Sequence, residues 1–401
     1  MGPLFKKQPK GFATKAIHAG QNPSQWNSRS VVPPISLSTT FKQRGPGEHE
    51  GYEYSRSGNP TRNVLENCLA ALDDAKYGLA FSSGLGTAMA VFSMLSTGDH
   101  IIIGDDVYGG TARLVRQVIS RLGIQFSFVD PTDLQAFESE IQSNTKLVWI
   151  ETPTNPLTKV ADIEAISKFC QNKNVIFAVD NTFLTSYFQR PLELGADLVC
   201  YSLTKYMNGH SDVVMGCITT NSEDLYQKLK FLQNVHFFLC FVATGIVPSP
   251  FDCYQVNRGL KTLPLRMEQH QKSSIAVAKL LEEHPFVEKV LHPALPSHPQ
   301  HQLSLKQTYG YSGVFSFFLK GDLKHSKAFL QNLKLFALAE SLGGYESLAE
   351  LPSIMTHASV PAEERKKLGI SDSLIRLSIG LEETEDLIGD LENALKISMT
   401  L

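Results

Sequence analysis

A regular alternation dominates this chain from about residue 56 onward, where helix-like stretches alternate with short runs rich in β-branched or aromatic residues. The runs are, in chain order, YGLAFSSG, HIIIGDD, FSFVD, KLVWIET, VIFAVDN and LVCYS. Alternation of this kind is typical of a parallel sheet whose strands are joined by crossover helices. We therefore predict an α/β fold built on a large, mostly parallel sheet.

The length and the change of pattern along the chain predict more than one unit. A chain of 401 residues exceeds what one hydrophobic core usually organises. Residues 1–55, rich in Gly, Pro, Ser and Gln, predict an extended N-terminal arm, and residues 56–257 carry the alternating pattern of a large domain. Residues 258–401 predict a long linking helix kinked at Pro264 and then a smaller α+β domain with apolar runs at 313–319 and 333–338.

Composition and charge narrow the classes of partner. Hydrophobic residues at 42% and charged residues at 19% are typical of a globular protein. The net charge of −3 and the lack of a basic run argue against nucleic acid or an anionic membrane as partner, so a small molecule is expected. Six scattered cysteines without CxxC spacing favour reduced thiols in the cytoplasm over a disulfide framework or a metal site. The N-terminus shows no signal-peptide apolar region, and no membrane span is expected.

The polar ends of the apolar runs predict where a functional site lies. Each run ends in polar residues or glycine, in the segments SSG, DD, ETPTNP, DNT and SLTK. In open α/β sheets, ligands collect at the carboxyl ends of the strands. These segments are therefore expected to lie together around a ligand.

One of these ends carries Lys205, in DLVCYSLTKYMNGHS, beside the hydroxyls of Ser202 and Thr204. A lysine in an apolar pocket loses proton affinity and becomes an amine nucleophile that condenses with an aldehyde. A surface lysine after a strand explains an isolated Ser-x-Thr-Lys equally well. These residues alone leave both interpretations open.

A second strand end carries Asp180, in VIFAVDNTF. An ionised carboxylate keeps a pyridine nitrogen protonated, which lets the ring act as an electron sink. The alternative is structural, with Asp180 or Asn181 capping the helix that follows.

Two further elements lie upstream. The small-residue turn SSGLGTAMAVFSML leaves the backbone N–H groups of Gly84 and Leu85 for a phosphate at a helix N-terminus. A dinucleotide fingerprint is not complete here, because Met89 stands where its third glycine belongs. Tyr108, in DDVYGGTARL, follows a strand and could stack on a flat heteroaromatic ring, although a single loop tyrosine usually serves packing alone.

The chain order of phosphate cradle, aromatic residue, acid and lysine resembles that of pyridoxal-phosphate enzymes with the aspartate-aminotransferase fold, fold type I. The strings YEYSRSGNPTRNVLE, ETPTNP, AVDNTF, TKYMNGHSDVVMG, NRGLKTL and SLGGYESLAELPSIMTHAS are similar to those of the Cys/Met-metabolism family. The resemblance runs from about residue 12 to about residue 396. It implies pyridoxal 5'-phosphate as cofactor, and a large mostly parallel-sheet domain followed by a smaller C-terminal α+β domain.

The resemblance also implies catalytic and cofactor-binding roles. Lys205 would carry the cofactor as a Schiff base and move the Cα proton, Asp180 would pair with the pyridine nitrogen, and Tyr108 would stack on the ring and assist. The phosphate would be bound by Gly84, Leu85, Ser202 and Thr204, with Tyr54 and Arg56 reaching over from a neighbouring subunit. A homotetramer, formed by two dimers with shared sites, is implied as well.

Substrate-binding roles are implied in the same way. Arg376, in LIRLSIG, would grip the substrate carboxylate through two parallel hydrogen bonds, supported by Asn155 and Ser341. The other expected substrate contacts are Arg56, Tyr108, Arg113 and Glu340.

The family resemblance implies γ-elimination of L-cystathionine to L-cysteine, 2-oxobutanoate and ammonia, the transsulfuration route to cysteine. Related chemistry on cysteine or homocysteine would release hydrogen sulfide. Three alternatives stay open: a relative that builds cystathionine from an activated homoserine, a relative that cleaves methionine, and a catalytically silent paralogue. The methionine-cleaving relatives carry a reactive cysteine where this chain has Gly110, which disfavours that alternative.

Two features depart from the family pattern. Leu203 stands between Ser202 and Thr204 where relatives usually place a small residue, and we expect it to crowd the floor of the cofactor site. The apolar stretch VHFFLCFV, residues 235–242, looks like an insertion of about eight residues. It is the opposite of a solvated loop, so we expect it to seek burial and to impair activity, solubility or assembly.

Overall fold

The computed structural model describes residues 5–234, 244–358 and 360–400. Within them, a seven-stranded sheet has the strand order β1-β7-β6-β5-β4-β2-β3. Its strands are β1 (Tyr77–Phe81), β2 (His100–Gly104), β3 (Gln125–Val129), β4 (Thr145–Glu151), β5 (Ile176–Asp180), β6 (Leu198–Ser202) and β7 (Gly216–Thr220). Strands β3, β2, β4, β5 and β6 pair in parallel, whereas β7 is antiparallel to both β1 and β6. The predicted mostly parallel α/β sheet is confirmed.

Helices flank this sheet and the second sheet described below. They are α1 (Phe12–His18), α2 (Pro60–Leu72), α3 (Gly84–Phe92), α4 (Gly109–Gln117), α5 (Leu134–Glu140), α6 (Ile163–Lys173), α7 (Thr185–Phe188), α8 (Glu223–Gln233), α9 (Pro250–Leu260), α10 (Leu263–Glu283), α11 (His301–Gln307), α12 (Leu323–Asn332), α13 (Ala362–Leu368) and α14 (Thr384–Ser398). Side-chain caps fix several starts, for example Asn59 before α2 and Ser83 before α3. No helix in the described part of the chain is long and apolar enough to cross a membrane.

The large sheet is buried on both faces, which is why its strands are apolar at successive positions. In β4, Val148 and Ile150 pack into one core, and Leu147 and Trp149 pack into the core on the opposite face. Side chains alternate in this way because successive residues of a strand point to opposite faces. Because five of the strands are parallel, their carboxyl ends lie side by side at one end of the sheet.

A second sheet of five strands has the order β10-β11-β12-β9-β8. Its strands are β8 (Val287–Leu291), β9 (Val314–Leu319), β10 (Ala337–Leu338), β11 (Leu348–Glu350) and β12 (Leu374–Ser378). Apolar residues of this sheet pack with residues of α10, α12 and α14 in a core of their own. The apolar run at 313–319 is thus a central strand, whereas only two residues of the 333–338 run are a strand.

The single kinked helix predicted from residue 258 is wrong. The structure has two helices there, α9 ending at Leu260 and α10 starting at Leu263, and Pro264 lies in the first turn of α10. Proline has no N–H to donate, and the first-turn N–H groups of a helix have no intrahelical partner, so this position costs no hydrogen bond. The proline starts a helix here rather than bending one.

The expectation of an extended arm is also wrong for its first part. Residues 12–18 form α1, and its Phe12 and Ala16 are buried in the core beside the large sheet. Lys15 of the same helix forms an ion pair with Asp74. The stretch that follows is open, since the side chain of Val31 is 77% exposed.

The two departures from the family pattern differ in what the structure says of them. Leu203 is fully buried in the core that also contains Val199 and Tyr206. The apolar stretch 235–242 lies outside the described residues. Described residues on either side of it are close together, because the N–H of Thr244 donates to the carbonyl oxygen of Leu232 at 3.2 Å.

Close packing of β7 against α3 generates a prediction. A Cβ added at Gly216 would collide with the carbonyl oxygen of Ser83 and lie 2.6 Å from Cγ2 of Thr87. We expect Gly216→Ala to lower the free energy of unfolding by about 1–3 kcal/mol, because backbone has to move. Urea unfolding followed by circular dichroism measures it.

The matched control is Gly389→Ala in α14, where an added Cβ meets nothing within 4 Å. We expect this variant to be more stable than the parent by about 0.5–1 kcal/mol, since alanine loses less conformational entropy in a helix. Equal stability of the two variants would contradict the packing account.

Candidate active site

Lys205 lies just beyond β6, at the carboxyl edge of the large sheet, and its Nζ donates to Oγ of Ser341 at 2.8 Å. Burial, and after it the positive charge of Arg376, lower the pKa of the Lys205 amine from 10.5 to about 8. The carboxylates of Glu350 and Glu340 oppose that shift. The Lys205 amine is therefore deprotonated, and so becomes nucleophilic, at a lower pH than an exposed lysine.

Arg376, on the buried strand β12, gathers groups from distant parts of the chain. Its Nη1 donates to Oδ1 of Asn155 at 3.0 Å, and its Nη2 donates to the carbonyl oxygen of Ser341 at 2.7 Å. Ser341 has a φ of 98°, a backbone conformation that L side chains rarely adopt. Ser341 thus contacts both Lys205 and Arg376, so the amine and the guanidinium are held by one residue.

Asp180 is the last residue of β5 and does not cap a helix, since the next helix begins at Thr185. Its Oδ1 accepts from the N–H of Thr182 at 2.9 Å. Burial raises the pKa of the Asp180 carboxyl to about 6. Among the described residues, no ion pair is formed by this half-buried acid. Such an acid is suited to a cationic ligand atom such as a protonated ring nitrogen.

Glu151, the last residue of β4, is the neighbour of Asp180 in the register of the sheet. Burial, and then the charge of Asp180, raise the pKa of Glu151 well above its ordinary value. Its Oε2 accepts from the N–H of Tyr108 at 2.9 Å, so it fixes the start of α4. Sequence reasoning missed Glu151, although it stands in ETPTNP, one of the segments expected at the site.

The N-terminus of α3 faces the Ser202 side chain. Oγ of Ser83 accepts from the N–H of Gly86 at 2.9 Å, whereas the first-turn N–H groups of Gly84 and Leu85 have no intrahelical acceptor. A Cβ at Gly84 would lie 2.8 Å from Cβ of Ser202, so only glycine allows this approach. The pair of amides, the helix dipole and a nearby hydroxyl suit a phosphate group.

Thr204 has a different environment from the one expected. Its hydroxyl donates to the carbonyl oxygen of Met215 at 3.2 Å and accepts from the Met215 N–H at 3.0 Å. To bind a phosphate, this hydroxyl would have to exchange the first of these hydrogen bonds. These two hydrogen bonds connect the turn that contains Lys205 to Met215, the residue before β7.

Tyr108 stands at the start of α4 with its side chain 45% exposed, which leaves a ring face open to a ligand. A Cβ added at Gly110 would collide with the Tyr108 ring. Further along α4, Arg113 lines a surface cleft with Asp106 and His357. Glu340 is exposed, and its charge acts on Lys205.

Tyr54 and Arg56 form a separate set of contacts. Tyr54 is 42% exposed and bridges to Thr40, while the Arg56 guanidinium lies over the Tyr54 ring, 5.1 Å from its centroid. Arg62 holds their backbone by donating to the carbonyl oxygens of Ser55 and Arg56 at 2.8 and 3.0 Å. Among the described residues, no hydrogen bond or ion pair given by the structure links Tyr54 or Arg56 to Lys205 or Asp180.

Glu350 is the second residue that sequence reasoning missed. It lies on β11 opposite Arg376 and forms a buried ion pair with it at 2.9 Å. The segment SLAELPSIMTHAS was recognised as similar to the family, but nothing in its pattern separates Glu350 from an exposed strand residue.

Together these groups fit pyridoxal 5'-phosphate. Lys205 offers the amine, Asp180 a half-buried carboxylate, and Tyr108 an open ring face, while Gly84 can approach Ser202 only because it has no Cβ. A large, mostly parallel sheet with an amine of lowered pKa at its carboxyl edge defines the class of fold type I pyridoxal-phosphate enzymes.

Comparison with known proteins shows the family. The family model described as Cys/Met metabolism PLP-dependent enzyme matches residues 13–396, and the chain belongs to this family. Cystathionine gamma-lyase of Bos taurus is 60% identical over 386 residues, covering 96% of this chain and 93% of that protein.

Solved structures agree. Cystathionine gamma-lyase from Lactobacillus plantarum complexed with L-serine has a TM-score of 0.92 at 40% identity, covering 97% of this chain and 99% of that chain. Cystathionine gamma synthase from Xanthomonas oryzae pv. oryzae, in complex with aminoacrylate and cysteine, has a TM-score of 0.93 at 40% identity, covering 98% and 99%. The expectations of fold class, family and cofactor are confirmed.

The lowered pKa of Lys205 generates a prediction for the cofactor-free chain. Only the unprotonated amine attacks an aldehyde, so the rate of cofactor capture should rise with pH and level off above about 8. A free lysine would level off only above about 10.4. Stopped-flow absorbance, normalised to the reaction of the cofactor with a simple amine, measures it.

Arg376→Gln is the companion variant, because it removes a positive charge that lowers the Lys205 pKa. We expect its profile to move to higher pH. A profile that is the same in parent and variant, or one that levels off near the pH of a free lysine in both, would contradict the assigned cause.

Proposed function

We propose that this chain is a cystathionine γ-lyase, which uses pyridoxal 5'-phosphate to convert L-cystathionine to L-cysteine, 2-oxobutanoate and ammonia. The observation that carries the proposal is that Ser341 contacts both the Lys205 amine and the Arg376 guanidinium. An α-amino acid placed there has its carboxylate at Arg376 and its α-carbon beside Lys205. Relatives that are 60% identical and named cystathionine gamma-lyase support the substrate.

The cofactor, when bound, supplies an electron sink that stabilises negative charge at the substrate's Cα. We propose that Asp180 pairs with its ring nitrogen and that Tyr108 covers one ring face. The complete proposed cofactor set is Tyr54, Arg56, Gly84, Leu85, Tyr108, Asp180, Ser202, Thr204 and Lys205. Raised by burial, the pKa of Asp180 is expected to fall again when a ring cation lies beside it.

The chain's own residues perform the proton steps in this proposal. Arg376 orients the substrate carboxylate with its planar fork, while Asn155 and Ser341 keep the guanidinium in place. Lys205 then removes the Cα proton, releases it again, and afterwards removes a Cβ proton. It can return this second proton to the sulfur as the Cγ–S bond breaks, so that the leaving group departs as the thiol of cysteine. A pKa of about 8 suits both halves of this task, since the amine accepts and returns protons near neutral pH.

The distal half of cystathionine is proposed to meet Arg56, Tyr108, Arg113 and Glu340. Arg113 and Glu340 carry opposite charges, as an amino-acid end group requires. Elimination from cysteine or homocysteine would use the same residues and release hydrogen sulfide.

Two of the three alternatives, the synthase and the methionine-cleaving enzyme, are weaker. Solved structures of a γ-lyase and a γ-synthase match this fold equally well, each at 40% identity, so these structures do not separate the two activities. The Bos taurus cystathionine gamma-lyase, at 60% identity, favours the lyase. A methionine-cleaving enzyme with a cysteine at position 110 would need the Tyr108 ring to move, because a Cβ there collides with it.

The exposed residues and the cysteines bear on the oligomeric state and the cellular compartment of this protein. We propose a homotetramer, a dimer of dimers in which Tyr54 and Arg56 complete a neighbour's site, in the cytoplasm. The exposed Tyr54 and Val31 support a subunit contact, and the five described cysteines, all free and buried, support a reducing compartment. We also propose the division into an N-terminal segment (1–55), whose helix α1 packs into the core beside the large sheet, a large domain (56–257) and a C-terminal domain (258–401).

Lys205→Ala tests the catalytic assignment. We expect loss of cystathionine cleavage by at least a factor of about a thousand, since no amine remains to move the proton, with an unchanged circular dichroism spectrum. The control is Lys168→Ala, which removes an exposed lysine of α6 and should retain full activity. A Lys205→Ala enzyme with a tenth of parental activity would overturn the assignment.

Mixed dimers test the shared site. We expect Arg56→Ala and Lys205→Ala chains, each inactive alone, to regain roughly a quarter of parental activity when mixed. Half of random dimers are hybrids, and each hybrid has one intact site of two. With subunit exchange confirmed by mass spectrometry, hybrids no more active than their parents would rule out sharing.

A further inference from the structure

The guanidinium assigned to the substrate carboxylate already has an anionic partner. Nη1 of Arg376 lies 2.9 Å from Oε1 of Glu350, and the two side chains are only 2% and 1% exposed. Neither the catalytic nor the substrate-binding assignments account for this carboxylate.

Glu350 is held in place from two sides. The β11–β12 register sets it directly opposite Arg376, and the hydroxyl of Thr356 donates to its Oε1 at 2.8 Å. Its Oε2 is buried and has no hydrogen-bond partner among the described residues. Glu350 is therefore a fixed charge with spare acceptor capacity, which a purely structural ion pair would not require.

Arg376 also has spare capacity. Its Nε is buried and lacks an acceptor among the described residues. A substrate carboxylate can therefore accept a hydrogen bond from Nε of Arg376, but it then lies close to Glu350, which is paired with the same guanidinium. Two carboxylates that share one buried cation repel each other, and each weakens the hold of the other.

We propose that Glu350 is a positioning residue that holds Arg376 in place and competes with the substrate carboxylate for it. The inference rests on the proposed function, since it takes Arg376 as the carboxylate site. The competition weakens binding of the amino acid through its carboxylate.

The other charges around Glu350 are Lys205 and the exposed Glu340, together with the Arg376 guanidinium. Any change at Glu350 therefore also alters the charge that Lys205 experiences, as the effect of Glu350 on the Lys205 pKa shows. A test has to separate the carboxylate effect from the amine effect.

Two probe ligands make that separation in the holoenzyme. Glycine has an amine and a carboxylate but no leaving group, and methylamine has the amine alone. Both are titrated through the visible absorbance of the bound cofactor. The ratio of their dissociation constants, methylamine over glycine, reports the carboxylate contribution, because the effect on Lys205 cancels.

We expect Glu350→Gln to raise this ratio by about tenfold, since glutamine retains the shape and removes the competing charge. The matched control is Glu346→Gln, an exposed glutamate four residues away, which should leave the ratio unchanged. A ratio in Glu350→Gln that equals that of the control, or is lower, would overturn the proposal.

Thr356→Val is an independent variant in which the ratio of dissociation constants should change in the opposite direction. It decides the question if Glu350→Gln does not fold. Loss of the hydroxyl leaves Oε1 of Glu350 wholly to Arg376, so the ratio should fall by about twofold. An unchanged or higher ratio in this variant contradicts the competition. If the parent binds glycine but does not cleave cystathionine, the proposed function fails and the role of Glu350 is still decided by the ratio.

Discussion

A single buried guanidinium joins the two sheets at the site. Arg376 belongs to β12 of the five-stranded sheet, yet it donates to Asn155 in the segment after β4 of the seven-stranded sheet. It also donates to Ser341, whose hydroxyl accepts from Lys205. Because an unpaired buried charge costs several kcal/mol, about 3–5 when one partner of such a pair is removed, this set of contacts forms as a unit. Its geometry fixes the distance between the Lys205 amine and the Arg376 guanidinium.

Burial then sets the charge states. The same low dielectric that lowers the pKa of Lys205 raises those of Asp180 and Glu151, so acid and base are both moved toward their neutral forms. A site of this kind is least favourable when empty and gains most from a ligand that brings both a ring cation and an anionic phosphate. The fold contributes the helix N-terminus at Gly84 for the second of these.

Much of this arrangement was predictable, because parallel strands place their ends at one edge. The six apolar runs are the strands β1 to β6, and the polar residues that follow them include Lys205 and Asp180. Strand β7 was missed, since its run GCITT directly continues the segment after Lys205. The break between α9 and α10 was missed because a proline in a helical pattern is compatible with either a kink or a start.

Glu350 could not be found from sequence, because its partner Arg376 is adjacent only through sheet pairing. The roles of Tyr54 and Arg56 come from family resemblance alone, since a single chain has no neighbouring subunit.

We propose that Lys205, and no other amine of this chain, bonds the cofactor. The most direct measurement is to reduce the holoenzyme with borohydride, digest it and locate the pyridoxyl group by mass spectrometry. We expect the group on the peptide containing Lys205, and we expect none on Lys230 and Lys261, whose pKa values are also lowered by burial. A pyridoxyl group on another lysine, with Lys205 unmodified, would contradict it.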